Sequence, residues 1–284
     1  MADQTMPRSA DNDEPMVSCL MVTANRAQLA RRAIACLAEQ TWSNLELVIV
    51  DDGDEDYSPI LEPFRNRLRI RYERIAKEPG VRLGSLRNRS LDLASGDYCA
   101  QWDDDEWYHP DRIETQMRYL RTRDLAAVTL RYVLVHLDEP DFLHHPFRFD
   151  SIDGTCGTIL HERSDIRYPN LERSEDLAYL ETFTKTGRSG VIPERSGHLF
   201  VRCFHGTNTW DREHFLGRLK SSAIGTVDYY FSRYLLGSVF RHHAFKLCAA
   251  ENAAVSDFLE MSRALGLLRN AGQGNSNGEA GSPG

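Results

Sequence analysis

No stretch of this 284-residue chain approaches the roughly 20 consecutive apolar residues that a helix needs to cross a bilayer, so no transmembrane segment is expected. Its first 15 residues are polar and acidic and lack the basic and apolar regions of an export signal, which points to a cytoplasmic protein. A basic block long enough to track a phosphate backbone is also missing, and the net charge is −8. Sequence-independent nucleic-acid binding is therefore excluded, and an anionic ligand would need a metal ion or local arginines. There is no C-x-x-C pair among the six cysteines, Cys19, Cys36, Cys99, Cys156, Cys203 and Cys248. Scattered beside apolar neighbours, they read as reduced core residues in a cytoplasm-like compartment. Residues 16–265 hold no internal repeat and no strong linker, which favours one domain over two.

What the chain does have is an unusual concentration of acid. Asp103, Asp104, Asp105 and Glu106 follow directly on the apolar-leaning segment 98–102. Four adjacent carboxylates repel one another unless a cation offsets them. On an extended backbone alternate side chains share a direction, so Asp103 and Asp105 are expected to hold one small divalent ion between them. A solvated acidic loop is the plainer alternative, but a second pair, Asp51-Asp52, also ends a strand-like run.

Composition is that of an ordinary globular protein, 41% hydrophobic and 27% charged. The pattern predicts strands over 16–22, 45–50, 68–73 and 98–102, with helices over 27–40, 83–94 and from Arg112 onward. This alternation implies an α/β fold, a mostly parallel sheet flanked by helices, with ligands beyond the carboxyl ends of the strands. After about residue 135 the pattern turns irregular: short strands over 155–160 and 199–204, a helix opening near Ser174, a Gly-rich turn over 187–190 and a helix over 255–268. Residues 1–15 and 270–284 are too polar to repay ordering and are expected to be disordered. The domain therefore divides into a first half, 16–135, that carries both acidic clusters and a mixed half, 136–265, of irregular pattern.

Thr23-Ala24-Asn25-Arg26 lies where the first strand meets the first helix, a place suited to an anion or a ribose, although Asn25 could simply cap the helix. Asp51 and Asp52, before Gly53, could accept hydrogen bonds from a base or ribose, or could form only a turn. Arg87, with Asn88, is the arginine best placed to reach back toward such a ligand.

These blocks together resemble family 2 glycosyltransferases. Val22-Thr-Ala-Asn-Arg26, Glu39-Gln-Thr41, Glu46-Leu-Val-Ile-Val-Asp-Asp-Gly53, Leu86-Arg-Asn88, Ala94-Ser-Gly-Asp-Tyr98 and Asp103-x-Asp105 occur in the family's order and spacing over residues 17–106. The resemblance implies the GT-A fold, a Rossmann-like sheet, and inverting transfer of a hexose-type sugar from a nucleotide-sugar donor, with UDP favoured. By the same resemblance Thr23 and Asp52 hold the nucleoside, and Asp103 and Asp105 hold ribose and the diphosphate-bound metal, Mn²⁺ or Mg²⁺, with Asp104 between them in the donor site. Two departures stand out. Glu106 replaces a further aspartate, and the proline often found before the threonine block is absent.

Ser174-Glu175-Asp176 resembles the family's Glu-Asp motif, which makes Asp176 the general base and Glu175 its support. On the residues alone, Ser174 could cap a helix whose dipole both acids complement. His205 is a candidate third metal ligand, and Asn208 and Trp210 could face the acceptor. The implied acceptor is a glycan, a lipid-linked sugar or another hydroxyl compound, and a homo-oligomer is possible. Two alternatives are weighed. One is a catalytically silent module that keeps the fold; the other is a sugar-1-phosphate nucleotidyltransferase, whose Gly-rich phosphate loop Thr23-Ala-Asn-Arg26 does not match.

Overall fold

The computed structural model describes residues 14–77, 80–171, 173–206, 208 and 211–268. Residues 1–13 and 269–284, most of the two expected disordered ends, lie outside the described residues. Glu14 and Pro15 belong to the fold: the Trp42 Nε1–H donates to the Pro15 carbonyl at 3.1 Å and Ser43 Oγ to Glu14 at 2.7 Å.

The chain runs through β1 (Val17–Thr23), α1 (Ala27–Ala38), β2 (Leu45–Asp51), α2 (Ser58–Leu61), β3 (Arg69–Arg74), α3 (Leu83–Leu93), β4 (Tyr98–Gln101), β5 (Trp107–Tyr108) and α4 (Arg112–Thr122). It continues through β6 (Ala127–Leu130), β7 (Tyr132–Leu137), β8 (Phe147–Asp150), β9 (Leu160–Glu162), α5 (Glu175–Lys185), β10 (Ser189–Ile192), β11 (Phe200–Phe204), α6 (Arg212–Gly217), α7 (Ala223–Tyr230) and α8 (Ala249–Ala264). A seven-stranded sheet has the order β10-β6-β9-β4-β1-β2-β3, and β9 runs antiparallel to both neighbours while the other pairs are parallel. A second sheet, β5-β11-β7-β8, carries the mixed half. Because β9 and β10 return to the first sheet, the two halves interleave.

Helices cover both faces of the central strands, which is why all of β2 is buried and residues 47–50 read as an apolar run between Glu46 and Asp51. On α1 the buried Ala30, Ala33, Ile34 and Leu37 recur at helical spacing, and the small side chains let the helix approach the sheet closely. Its end is tied to α4 by Gln40, whose Nε2 donates to the His109 carbonyl at 2.8 Å and whose Oε1 accepts from the Ile113 N–H at 3.1 Å. The outer strand β3 instead alternates exposed arginines with half-buried residues, as suits an edge. Arg112 sits at the junction of the two sheets, fully buried, with its guanidinium 4.8 Å from the Tyr108 ring and donating to the Gln101 carbonyl at 3.1 Å.

Two elements depart from expectation. The strand expected over 155–160 is a 3₁₀ turn, Cys156–Thr158, before the short β9. Thr158 Oγ1 donates to the Thr155 carbonyl at 2.6 Å and accepts from the Leu130 N–H, so a local side-chain bond overrides the β-branched pattern. The last helix starts at Ala249 rather than 255, because Glu251 accepts from the Cys248 N–H at 2.8 Å in a capping box with an unusual cysteine cap. Phe258 on this helix is fully buried and Met261 packs against the same core. No helix among the described residues is long and apolar enough to cross a membrane.

His161 on β9 is buried, its Nε2 3.1 Å from the Tyr179 hydroxyl and its Nδ1 2.8 Å from the Glu162 carbonyl. Burial holds its pKa down at about 4, so the unfolded chain takes up the proton first. Its contribution to stability is present above the unfolded value and is lost as pH falls toward 4. The melting temperature is therefore expected to drop between pH 6.5 and 5, with about 2 kcal/mol of that loss absent in His161→Gln, measured by thermal unfolding across pH.

Candidate active site

The backbone leaves β4 at Gln101 and turns over residues 104–105, so the four acids lie on a turn and not on an extended strand. The expected side-chain alternation is overturned for this reason, and the carboxylates fan out to different partners. Asp103 accepts from Gln101 Nε2 at 2.9 Å and from Arg87 Nη2 at 3.1 Å. Asp104 is buried and turns inward, accepting from Thr23 Oγ1 at 2.5 Å and Arg26 Nε at 3.0 Å. Asp105 meets Arg26 Nη1 at 3.1 Å, His205 Nε2 at 3.2 Å and Asn208 Nδ2 at 3.4 Å, all on Oδ2. Glu106 accepts from the Cys203 N–H at 2.6 Å.

The electrostatics follow from this packing. Burial, reinforced by the charge of Asp105, pushes the Asp104 carboxyl up to about 7. Burial and Asp105 likewise push Glu106 well above the carboxylate range. For Asp105 burial acts in the same sense but is outweighed by His205 and Arg26, which hold it below its ordinary value. Asp105 thus keeps its charge better than Asp104 or Glu106.

The first strand and helix supply the floor. Thr23 Oγ1 shares its hydrogen bonds between Asp104 and the Tyr57 hydroxyl, the latter at 2.6 Å. Asn25 does not cap α1: its backbone is left-handed (φ 53°), and its Oδ1 accepts from the Asp54 and Glu55 N–H groups at 2.7 and 3.0 Å. Gly53 is required opposite it, since a Cβ there would stand 2.6 Å from the Asn25 nitrogen. The α1 N-terminus is already filled, because Glu55 Oε2 accepts from the Ala27 N–H at 3.0 Å. Of the acidic pair, Asp51 is buried and spent on Gly53 N–H at 2.8 Å and the Tyr72 hydroxyl at 2.6 Å. Asp52 is half-buried beside Thr23, its N–H donating to the Thr23 carbonyl at 3.3 Å. Asn88 is likewise structural, bonded to both polar atoms of the Tyr168 backbone.

The second half closes the cleft. Glu175 and Asp176 open α5 and line the same cavity, of about 210 Å³, as Arg26, Arg87 and residues 103–106. Glu175 is buried, its Oε1 3.6 Å from Arg87 Nε. Ser174 makes no side-chain cap; its backbone is left-handed (φ 62°), a strained conformation for a serine directly before the two acids. Burial disfavours a charge on Arg87, yet Asp103 first, then Tyr168, Asp176 and Glu175, hold its pKa above the ordinary value. Of the buried polar atoms on cleft residues, Gln101 Oε1 has no hydrogen-bond partner and Arg87 Nε has only Glu175 Oε1 at 3.6 Å, while Asp104 Oδ1 is met by Arg26 Nη2 at 2.7 Å. Such atoms are costly unless a ligand or solvent meets them. Trp210 lies outside the described residues. Gln101, Arg173 and Arg202 also line the cleft and were not among the residues expected there. For Arg202 the signal was present, a charge inside the otherwise apolar run Phe200–Phe204.

The glycosyl transferase family 2 model matches residues 18–192, more than half of the chain. The chain belongs to this family. An uncharacterised glycosyltransferase of Haemophilus influenzae is 26% identical to this family 2 member over 252 residues, 83% of this chain and 95% of that protein. The Bacillus subtilis protein EpsH is 33% identical over 106 residues, 37% of this chain but only 30% of EpsH. Among solved structures, Staphylococcus aureus TarS (residues 1–349) in complex with UDP-GlcNAc superposes with a TM-score of 0.57 at 16% identity, covering 89% of this chain and 84% of that one. A Pyrobaculum calidifontis mannosyltransferase in complex with GDP-Man and Mn²⁺ gives 0.52 at 14% identity, covering 88% and 75%. At these identities the structures establish the shared GT-A fold.

In this family 2 member Thr23→Val removes the hydroxyl that Asp104 accepts from while leaving the volume nearly unchanged. It is expected to cost about 1–3 kcal/mol of stability, measured by denaturant unfolding, with the larger loss above pH 7 where Asp104 is charged.

Proposed function

We propose that this cleft transfers a hexose-type sugar from a nucleotide-sugar, a UDP-sugar in the first instance, to a hydroxyl acceptor with inversion at the anomeric carbon. The observation that carries the reading is that Glu175 and Asp176, from the second half of the chain, open onto the same cavity as the acid turn at the end of β4. Family membership supports a nucleotide-sugar donor, and the UDP-GlcNAc complex of TarS supports uridine.

The residues fit a divalent ion. Asp105 Oδ2 and His205 Nε2 are 3.2 Å apart, about the separation of two adjacent ligands on one octahedral ion. Asp103 stands two residues away in the same turn but is held by Arg87 and Gln101, so Asp105 and His205 are the pair that would hold the ion, the carboxylate suiting Mn²⁺ or Mg²⁺. Mn²⁺ in the mannosyltransferase complex supports the same reading. Such an ion supplies positive charge to the departing diphosphate without proton transfer.

The chain's own groups do the rest. Asp52, half-buried beside Thr23, receives the nucleoside, while Thr23, Asn25 and Asp51 hold the surrounding loops in place. Arg26 and Arg87 set the positions of the three aspartates. Asp176 takes the proton from the acceptor hydroxyl as its oxygen bonds to the anomeric carbon, and the nucleoside diphosphate leaves from the opposite face with the bonding electrons. Glu175, beside Arg87, fixes the start of α5. The acceptor is a glycan, a lipid-linked sugar or another hydroxyl compound, and the setting is single-sugar addition in the cytoplasm.

A panel of UDP-, GDP- and dTDP-sugars, incubated with Mn²⁺, Mg²⁺ or EDTA, tests the reading by donor hydrolysis. One donor is expected to turn over only with metal, and Asp105→Asn to lose about 100-fold or more. Asp176→Asn is expected to lower kcat by about 10²–10⁴-fold with the nucleotide Kd unchanged. Absence of both metal-dependent turnover and metal-dependent nucleotide binding would sink it.

A further inference from the structure

Exposed large apolar side chains are unevenly distributed. Of the twelve among the described residues, seven fall between Ile224 and Leu236, on α7 and the widened turn that follows it. Ile224, Val227, Tyr234 and Leu235 are 70–77% exposed, and Phe231 is 47% exposed. Their spacing of three, four, three and one places them on one side of the helix. The opposite side carries the buried Tyr229 and Ser232 into the core beneath β7 and β8. This is an amphipathic helix whose apolar side faces out. Scattered single apolar residues need no explanation, but a continuous outward stripe does.

Charge identifies the occupant. The segment 211–246 holds Arg212, Arg218, Lys220, Arg233, Arg241 and Lys246 against Asp211, Glu213 and Asp228, in a chain of net charge −8, with Arg212 paired to Glu139 and Glu213. Asp228, the one acid within α7, is already taken by the backbone N–H and Nδ1 of His243, each at 2.7 Å. Arg233 lies on the polar side of the helix, where it donates to the Tyr229 hydroxyl at 2.7 Å, and Lys220 holds its ammonium 5.1 Å from the Tyr229 ring. An apolar stripe backed by cations, with tyrosines whose hydroxyls can stay wet, has the make-up of a helix that lies in a bilayer interface. A second copy of the chain fits less well, since a two-fold contact would press the same cationic segment against itself.

We propose that α7 and the turn after it dock this protein on an anionic lipid surface, with Ile224, Val227, Phe231 and Leu235 entering the interface and the surrounding cations facing the headgroups. The proposal concerns attachment alone, so it stands or falls independently of the transfer reaction.

Vesicle flotation with the full chain tests it, comparing phosphatidylcholine vesicles with vesicles containing about 30% phosphatidylglycerol. The chain is expected to float with the anionic vesicles and to be released at about 0.5 M salt. The double variant Ile224→Ser, Leu235→Ser should bind about 10-fold less or weaker still, with an unchanged melting temperature because both side chains are exposed. Failure of the wild type to float with either vesicle, or undiminished flotation of the double variant, overturns the proposal. So does a wild-type dimer in light scattering that ignores vesicles and dissociates in the double variant, which would give the stripe to a second copy.

Discussion

Four adjacent carboxylates in a turn at the end of β4 are the constraint around which the first half of the chain is arranged. Two unit charges 4 Å apart interact by about 4 kcal/mol at the effective dielectric of a protein surface, so a run of acids cannot be left unmet. Each acid draws in a different element. Arg26 brings the start of α1 onto Asp104 and Asp105, Arg87 brings α3 onto Asp103, and the Cys203 N–H brings β11 onto Glu106. Arg32 adds a bond from mid-α1 to the Asp105 carbonyl and another to Ser262 on α8, so the C-terminal helix is fastened to the same turn.

This compensation is incomplete, and the deficit lies where a ligand would sit. Asp104 is pushed up to about 7 by burial, and buried polar atoms of Arg87 and Gln101 lack hydrogen-bond partners. Across the cleft Ser174 is held left-handed just before Glu175 and Asp176. Unmet polar atoms and backbone strain both cost stability, and both occur at this cavity as well as elsewhere in the fold. The Arg112 junction is an equally buried charge, met by aromatic rings, the Gln101 carbonyl and Gln116 Oε1, with Nη1 left without a hydrogen-bond partner.

Much of the first half was legible because its signals are local. The βαβ alternation, the helix on Ala30, Ala33, Ile34 and Leu37, and the acid run each depend on residues close in sequence. What could not be read depended on partners far along the chain. Asn25 looks like a helix cap until Gly53 is packed against it and its amide is drawn to the loop after β2. Asp51 and Asp52 are equivalent on paper, yet Tyr72 from β3 consumes one and leaves the other half-buried. The second sheet was missed because its strands are short and two of them, β7 and β11, run parallel across 62 intervening residues from Leu137 to Phe200 by number alone. The outward stripe on α7 follows a clear helical spacing, but spacing does not say which way the stripe faces.

By itself the sequence determined the fold class, the family and the chemical character of the site, because hydrophobic period and the order of short motifs are properties of the chain. Only the tertiary structure decided which polar groups are available. Thr23, Asn25 and Asp51 are committed to internal bonds, while Asp105, Glu175 and Asp176 line the cleft and His205 meets Asp105 beside it. The physical reason is that a carboxylate's role depends on how its hydrogen-bonding capacity is already met, and those partners are brought in by folding from 20 to 100 residues away.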